Sequence, residues 1–153
     1  MTARSAALLM AFATVACRGP HPSGHSAEAV SRLRAASEAL RAYRAACDAY
    51  PATLEPLRAA DLSAQGATCE HFGKLDGSIV DLVAAGSAPP ADQQHALSYA
   101  PSGRNDRGFQ RYQMEARWLG RTAGEHWSFW TSDRGVLTVA QGRPATESDP
   151  QIQ

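Results

Sequence analysis

Apolar residues in the first half of the chain recur at the spacing of an α-helix. From residue 27 to about residue 49 the sequence is rich in Ala, Leu, Arg and Glu, and Ser26 is placed to cap the first turn. Pro51 ends the pattern. The sequence therefore predicts a long N-terminal helix, whose arginine-rich remaining faces are typical of a solvated surface. Its apolar stripe consists of Val30, Leu33, Leu40, Cys47 and Tyr50.

In the second half of the chain the pattern changes to the alternation of a β-strand. The clearest case is residues 108–119, where polar and apolar residues alternate over the eight positions 111–118. The stretches PSGRNDRG and SDRG are rich in turn-forming residues and predict the first and the last connection. Four segments are predicted as strands, and in chain order they are residues 95–100, 108–119, 125–132 and 135–140.

The predicted fold class follows from these elements. Residues 76–90 predict a second, short helix that ends near Gly86. A sheet with one apolar face must be covered, and the long helix is the element that can cover it. We therefore predict an α+β domain over residues 26–146, in which a long N-terminal helix packs on an antiparallel meander of three or four strands. A polar tail follows over residues 147–153.

Composition and charge exclude several classes of function. The 153 residues suit one domain, and 15 Lys and Arg balance 15 Asp and Glu to a net charge of +0. Nucleic acid is therefore not a predicted partner, because phosphate binding needs a basic excess. Glycine-rich phosphate loops and a nucleophile elbow are not recognisable either. We predict no catalytic residues, no cofactor and no metal site.

The N-terminus has the layout of a secretory signal. An apolar run over residues 6–16 follows Arg4, and small residues precede Cys17. The sequence TVAC resembles the lipobox of bacterial lipoproteins, in which the cysteine is lipidated and becomes the new N-terminus. The resemblance implies a signal peptide over residues 1–16, a lipid anchor on Cys17 and a tether over residues 17–25. An ordinary signal-peptidase cut after the residues AFA, which would release a soluble chain, is the alternative.

The three cysteines fit the lipoprotein interpretation. Lipidation of Cys17 leaves Cys47 and Cys69, an even pair for an oxidising compartment. A disulfide between them would staple the intervening loop to the end of the long helix and contribute roughly 3 kcal/mol in the chain-entropy model. His21 and His25 lie among proline and glycine, so we interpret them as tether residues.

The order of elements resembles the globular part of type IV pilins and type II secretion pseudopilins. In both, a helix ending in a sequence such as YPATLEPL (residues 50–57) is followed by a variable loop and an antiparallel meander. The resemblance covers about residues 33–146 and implies a pilin-like fold. A prepilin cleavage site and the family's calcium-binding loop are not recognisable, so a filament subunit is not implied. The matching meander residues are Tyr112, Met114, Ala116, Phe129, Asp133, Gly135, Val136 and Leu137.

The aromatic third strand favours interaction over catalysis. If Trp127 faces the helix, Trp130 lies on the opposite face with His126, Arg111 and Arg117 as neighbours. An exposed tryptophan among arginines suits a protein interface or a sugar-binding platform. Burial of Trp130 under the C-terminal residues 140–153 is the competing interpretation of this residue.

We therefore predict a lipid-anchored lipoprotein of the bacterial envelope with a non-catalytic role in protein interaction or assembly. Its expected partners are the membrane and an envelope protein, at the periplasmic face of the outer rather than the inner membrane. Binding of a small periplasmic ligand or glycan is the first alternative, and a deep pocket beside the sheet would favour it. A hydrolase using His126 and Ser128 is the second, and it requires a hydrogen-bonded pair at the base of a cleft.

Overall fold

Four antiparallel strands form the centre of the structure, a computed structural model that describes residues 24–59, 68–86, 94–120 and 126–152. The strands lie side by side in chain order, and each overlaps a segment in which the alternating pattern predicts a strand. Alternation along the strands gives the sheet an inner face that carries the core and an outer face. The strands are β1 His95–Asn105, β2 Gly108–Trp118, β3 Trp127–Ser132 and β4 Leu137–Gln141.

Two helices lie on the inner face of the sheet, α1 Gly24–Cys47 and α2 Gly77–Ala85, with a short 3-10 turn at Glu55–Leu57 between them. Packing is divided between the helices, since α1 contacts β2 and β3 whereas α2 contacts β1. The short helix predicted after residue 76 is confirmed as α2. Asp76 caps it, because its carboxylate accepts a hydrogen bond from the Ser78 amide at 2.8 Å.

The predicted fold class, an α+β pilin-like domain with one long N-terminal helix packed on the meander, is wrong. Within the described ranges no single long helix covers the sheet, and the two helices have 24 and 9 residues. The first helix stops at Cys47, ahead of Pro51, because Asp48 adopts a left-handed φ of 58°. The chain then turns onto the sheet, where Tyr50 forms a β-bridge with Phe109.

The connection between β1 and β2 also differs from the prediction of a turn over PSGRNDRG. β1 continues to Asn105, and only Asp106 and Arg107 lie outside the ladder. The Asn105 side chain accepts a hydrogen bond from the Arg107 amide at 2.9 Å, which closes the tight turn. Gly108 follows with a φ of 117°, and a Cβ there would lie 2.9 Å from that of Ala49. Glycine is therefore required where the hairpin meets the end of the first helix.

The core lies between the inner face of the sheet and the two helices. Tyr112 and Phe129 are its largest fully buried side chains, at the middle of β2 and β3. Residues from the described parts of the segment between the helices belong to the same buried cluster, so these parts contribute to the core. The other large apolar side chains under 2 % exposed are Leu33, Leu40, Leu54, Leu57, Leu75, Leu97 and Met114.

A disulfide joins the end of the first helix to the segment before α2. Cys47 and Cys69 are bonded with their Cα atoms 5.8 Å apart. The Tyr43 hydroxyl donates a hydrogen bond to the Cys69 carbonyl oxygen at 2.8 Å, and its ring packs edge-on against Phe72 at 5.4 Å. The bridge is therefore supported by a polar and an aromatic contact. Cys17 and the whole predicted signal and tether up to residue 23 lie outside the described residues.

The C-terminal segment, residues 143–152, folds back along β4 and covers the outer face of β3 and β4. The Val139 amide donates to the Pro150 carbonyl at 3.0 Å, and the Ile152 amide donates to the Leu137 carbonyl at 2.9 Å. Asp149 is buried, with its carboxylate paired to Arg143 and accepting a hydrogen bond from the Thr146 amide at 2.7 Å. The segment is thus held to the sheet by both backbone and charged contacts.

The buried carboxylate of Asp149 predicts a pH dependence of stability. Hydrogen bonds from Arg143, and then from Thr146, hold its pKa below the ordinary value. The stabilisation that the ionised Asp149 carboxylate gives the folded state is complete above the unfolded-state pKa of about 3.9. It is lost as pH falls toward the lower folded-state pKa. We expect wild type to melt above Asp149→Asn at neutral pH, and the gap to narrow below pH of about 4. A gap that stays constant in thermal melts down to low pH would contradict this.

Among the described helices, none is long and apolar enough to cross a membrane.

Candidate ligand-binding cleft

The predicted interaction surface does not contain an exposed tryptophan. Trp130 is only 8 % exposed and packs with Ala140 and Ala145 on the outer face of the sheet. Ala145 belongs to the C-terminal segment, whose position depends on its pairing with β4. The structure thus agrees with the competing interpretation, burial of Trp130 under the tail.

Of the other residues predicted for this surface, Arg111 lies beside Trp130, whereas Arg117 does not. Arg111 and Trp130 line the same polar cavity of about 240 Å³, together with Arg134 and Glu147. Arg117 instead pairs with Glu115 at 3.5 Å and borders a separate pocket of about 60 Å³.

His126 and Ser128, the residues of the hydrolase alternative, take structural positions. The His126 ring stacks on Trp118, with the ring centroids 6.4 Å apart and the planes 16° from parallel. Ser128 is buried, and its hydroxyl oxygen accepts a hydrogen bond from the Trp118 amide at 3.3 Å. These contacts hold the C-terminal end of β2 against the N-terminal end of β3. In the described part of the chain, no cluster of three His, Cys, Asp or Glu side chains is arranged to bind a metal.

A cleft of about 310 Å³ lies between the first helix and the last hairpin, and we call it the helix–hairpin cleft. One wall is α1 and the other is the β3–β4 hairpin. This volume lies at the lower end of the range found for small-molecule sites. The lining residues are Leu33, Arg34, Ser37, Glu38 and Arg41 from α1, Thr131, Gly135 and Leu137 from the hairpin, and Ile152 from the C-terminal segment.

Helical spacing explains how charged and apolar groups meet in the helix–hairpin cleft. Arg34, Glu38 and Arg41 lie four and three residues apart, so they form one row along α1. This row borders the buried stripe that contains Leu33 and Ser37. The cleft consequently has a charged rim and a partly apolar floor.

Ser37 is a buried hydroxyl that lines the cleft. Its residue is 5 % exposed, and its oxygen has no hydrogen-bond partner among the described residues. The hydroxyl lies beside that of Tyr112, which is fully buried and also lacks a partner of good geometry there. Buried polar atoms are nearly always hydrogen-bonded in native proteins, so this pair of oxygens needs explanation.

Arg41 lies against the tip of the hairpin. Gly135 has a φ of +74°, and a Cβ at this position would overlap the Arg41 guanidinium group. Burial raises the pKa of Tyr112, whereas the neighbouring Ser37 hydroxyl and then the positive charge of Arg41 lower it. Arg41 follows Ser37 by four residues, one turn of the helix, and lines the same cleft.

The three charged residues of the rim carry no ion pair within the described residues. This differs from the neighbouring turn of α1, where Arg32 pairs with Glu28. Two guanidinium groups and one carboxylate give the rim a net positive charge. The arrangement places hydrogen-bond donors above an apolar floor, which is suited to holding a small polar ligand.

Sequence reasoning missed the cleft because it interpreted the arginines of α1 as a solvated face. Ser37 was the available signal, since it falls between Leu33 and Leu40 at helical spacing on the apolar stripe. A polar residue in such a stripe indicates either a buried hydrogen bond or a site. Comparison of the chain with protein-family models, with curated proteins and with solved structures found no match.

Proposed function

We propose that this chain is a non-catalytic binding domain that takes a small ligand into the helix–hairpin cleft. One observation carries the proposal: the buried hydroxyl of Ser37 lines a cleft of about 310 Å³ and, apart from the neighbouring Tyr112 hydroxyl, has no hydrogen-bond partner among the described residues. A ligand that hydrogen-bonds Ser37 would remove the cost of leaving the group unsatisfied. The cleft lies beside the sheet, the arrangement that favours the small-ligand alternative over an exposed platform at Trp130.

A cleft-blocking variant tests this proposal. Arg34→Trp places a large side chain at the rim, and Ala46→Trp places the same side chain on an exposed part of α1 outside the rim row. We expect small amphipathic molecules to shift the amide NMR signals of Gly135, Leu137 and Ile152 in wild type and in Ala46→Trp, but not in Arg34→Trp. Shifts confined to the outer face of the sheet, or equal in both variants, would contradict the proposal.

We further propose that the domain is held at a bacterial envelope membrane by lipid on Cys17. The chain has three cysteines, and Cys47 and Cys69 are bonded to each other. Cys17 therefore has no cysteine partner within its own chain, which fits its lipidation. Mass spectrometry of the membrane-purified protein should give a mature N-terminus at acylated Cys17, and Cys17→Ser should lose the acyl mass. A soluble chain beginning at Thr14 would show that the cleavage follows AFA instead.

A protein-interaction role is a second proposal, supported by the uncovered half of the outer face. Leu119 is 38 % exposed and is the one large hydrophobic side chain exposed among the described residues. It borders the small pocket with Ala96 and Arg117. A photo-crosslinking residue at position 119 should give one discrete adduct in native membranes, with position 45 as the control. Equal labelling from both positions would contradict a specific interface there.

A further inference from the structure

The donors that converge on the helix–hairpin cleft point to the chemistry of its ligand. Resting on the proposed function, we infer that the cleft binds a small aliphatic monocarboxylate, with the carboxylate at Ser37 and Arg41 and the aliphatic chain on the apolar floor. The floor is formed by Leu33, Leu137 and Ile152.

The hydroxyl groups of Ser37 and Tyr112 favour a ligand atom that accepts a hydrogen bond. Tyr112 is fully buried beside Ser37, and neither oxygen has a partner of good geometry in the described part of the chain. If the Tyr112 phenol donates to the Ser37 oxygen, the Ser37 proton is directed away from Tyr112 and toward the cleft. A ligand atom at this point must then accept a hydrogen bond. Carboxylate oxygens accept and do not donate, so they satisfy the pair.

The rim adds a charged donor at the same end of the cleft. Arg41 lies one helical turn from Ser37 and against Gly135, and it is not engaged in an ion pair among the described residues. Guanidinium groups bind carboxylates through two parallel hydrogen bonds, and such charge-assisted bonds are stronger than neutral ones. Arg41 and Ser37 together can therefore hold one carboxylate from two sides.

Glu38 limits the negative charge that the cleft accepts. It lies between Arg34 and Arg41 on the rim and makes no ion pair within the described residues. A like charge close to the ligand is unfavourable, and the penalty doubles for a dianion. The cleft is therefore expected to prefer a monocarboxylate over a phosphate monoester, which carries close to two negative charges at neutral pH.

The test compares four six-carbon probes by NMR titration of the whole folded domain: hexanoate, hexanol, hexylamine and hexyl phosphate. We expect hexanoate to bind most tightly and to shift the amides of Gly135, Leu137 and Ile152. Absence of binding by all four probes would overturn the proposed function as well. Equal or tighter binding of hexanol, hexylamine or hexyl phosphate would overturn the carboxylate inference while leaving a ligand-binding cleft in place.

Variants assign the individual contacts. Arg41→Gln should weaken hexanoate binding about tenfold, and Ser37→Ala should weaken it about threefold. Glu38→Gln should tighten it, since a repulsive charge is removed, and should tighten hexyl phosphate binding more. Arg117→Gln on the outer face is the matched control and should leave binding unchanged. Unchanged affinity in Arg41→Gln, with native thermal melts, or weaker binding in Glu38→Gln would overturn the inference.

Discussion

Replacement of Phe129 with alanine is expected to lower the free energy of unfolding by about 3–5 kcal/mol, the largest effect of any single substitution considered. Phe129 is fully buried at the centre of the inner face, where it pairs with Ala116 of β2 and Val139 of β4. Removal of its ring would leave a cavity between the sheet and α1, because strand pairing on both sides fixes the backbone and prevents collapse.

Chemical denaturation of Phe129→Ala measures this effect directly. Phe129→Leu is the matched control, since it keeps much of the volume and should cost less than half as much. Leu119→Ala is a second control on an exposed apolar residue, and it should change stability by no more than about 0.5 kcal/mol. A loss below about 1.5 kcal/mol in Phe129→Ala would show that this part of the sheet is not the centre of the core.

Loss of the disulfide is expected to have the second largest effect. The double variant Cys47→Ala/Cys69→Ala should be less stable by about 3 kcal/mol, because the bridge closes a loop with a sequence separation of 22. For a chain of this size the melting temperature should fall by about 6–12 °C. The Tyr43 hydrogen bond to the Cys69 carbonyl would also lose its fixed geometry.

Reduction of the wild-type protein provides the matched comparison. Thermal melts with and without reductant should differ in wild type by the same amount that separates wild type from the double variant. The double variant itself should not respond to reductant. Equal melting temperatures for the oxidised and reduced wild type would contradict a stabilising role for the bridge.

The strands could be predicted from the sequence because their signal is local. In β2, Tyr112, Met114 and Ala116 alternate with polar and charged residues, and burial of one face follows directly from that alternation. The residues at which the helices and strands begin and end were harder to predict. The first helix ends through the left-handed φ of Asp48, a non-glycine residue that carries no clear stop signal.

Neither the packing of the helices on the sheet nor the cleft could be predicted, because both depend on contacts between residues that are far apart in the sequence. From the sequence, α1 was expected to cover the whole inner face of the sheet, whereas α2 covers β1. Burial of Trp130 and the part of the cleft lining formed by Ile152 both require the C-terminal segment to pair with β4. Nothing in the local composition of that segment, which is polar and contains Pro144 and Pro150, indicates a sheet contact.

The C-terminal segment makes the two edges of the sheet unequal. It occupies the backbone edge of β4 through Pro150 and Ile152, whereas within the described ranges no backbone hydrogen bond reaches the outer edge of β1. Edge-to-edge stacking into fibres requires every copy to offer two open edges. Two copies of this domain that paired through β1 would present only their β4 edges to a third copy, and the C-terminal segments already occupy those edges. Assembly by this route therefore ends at a dimer.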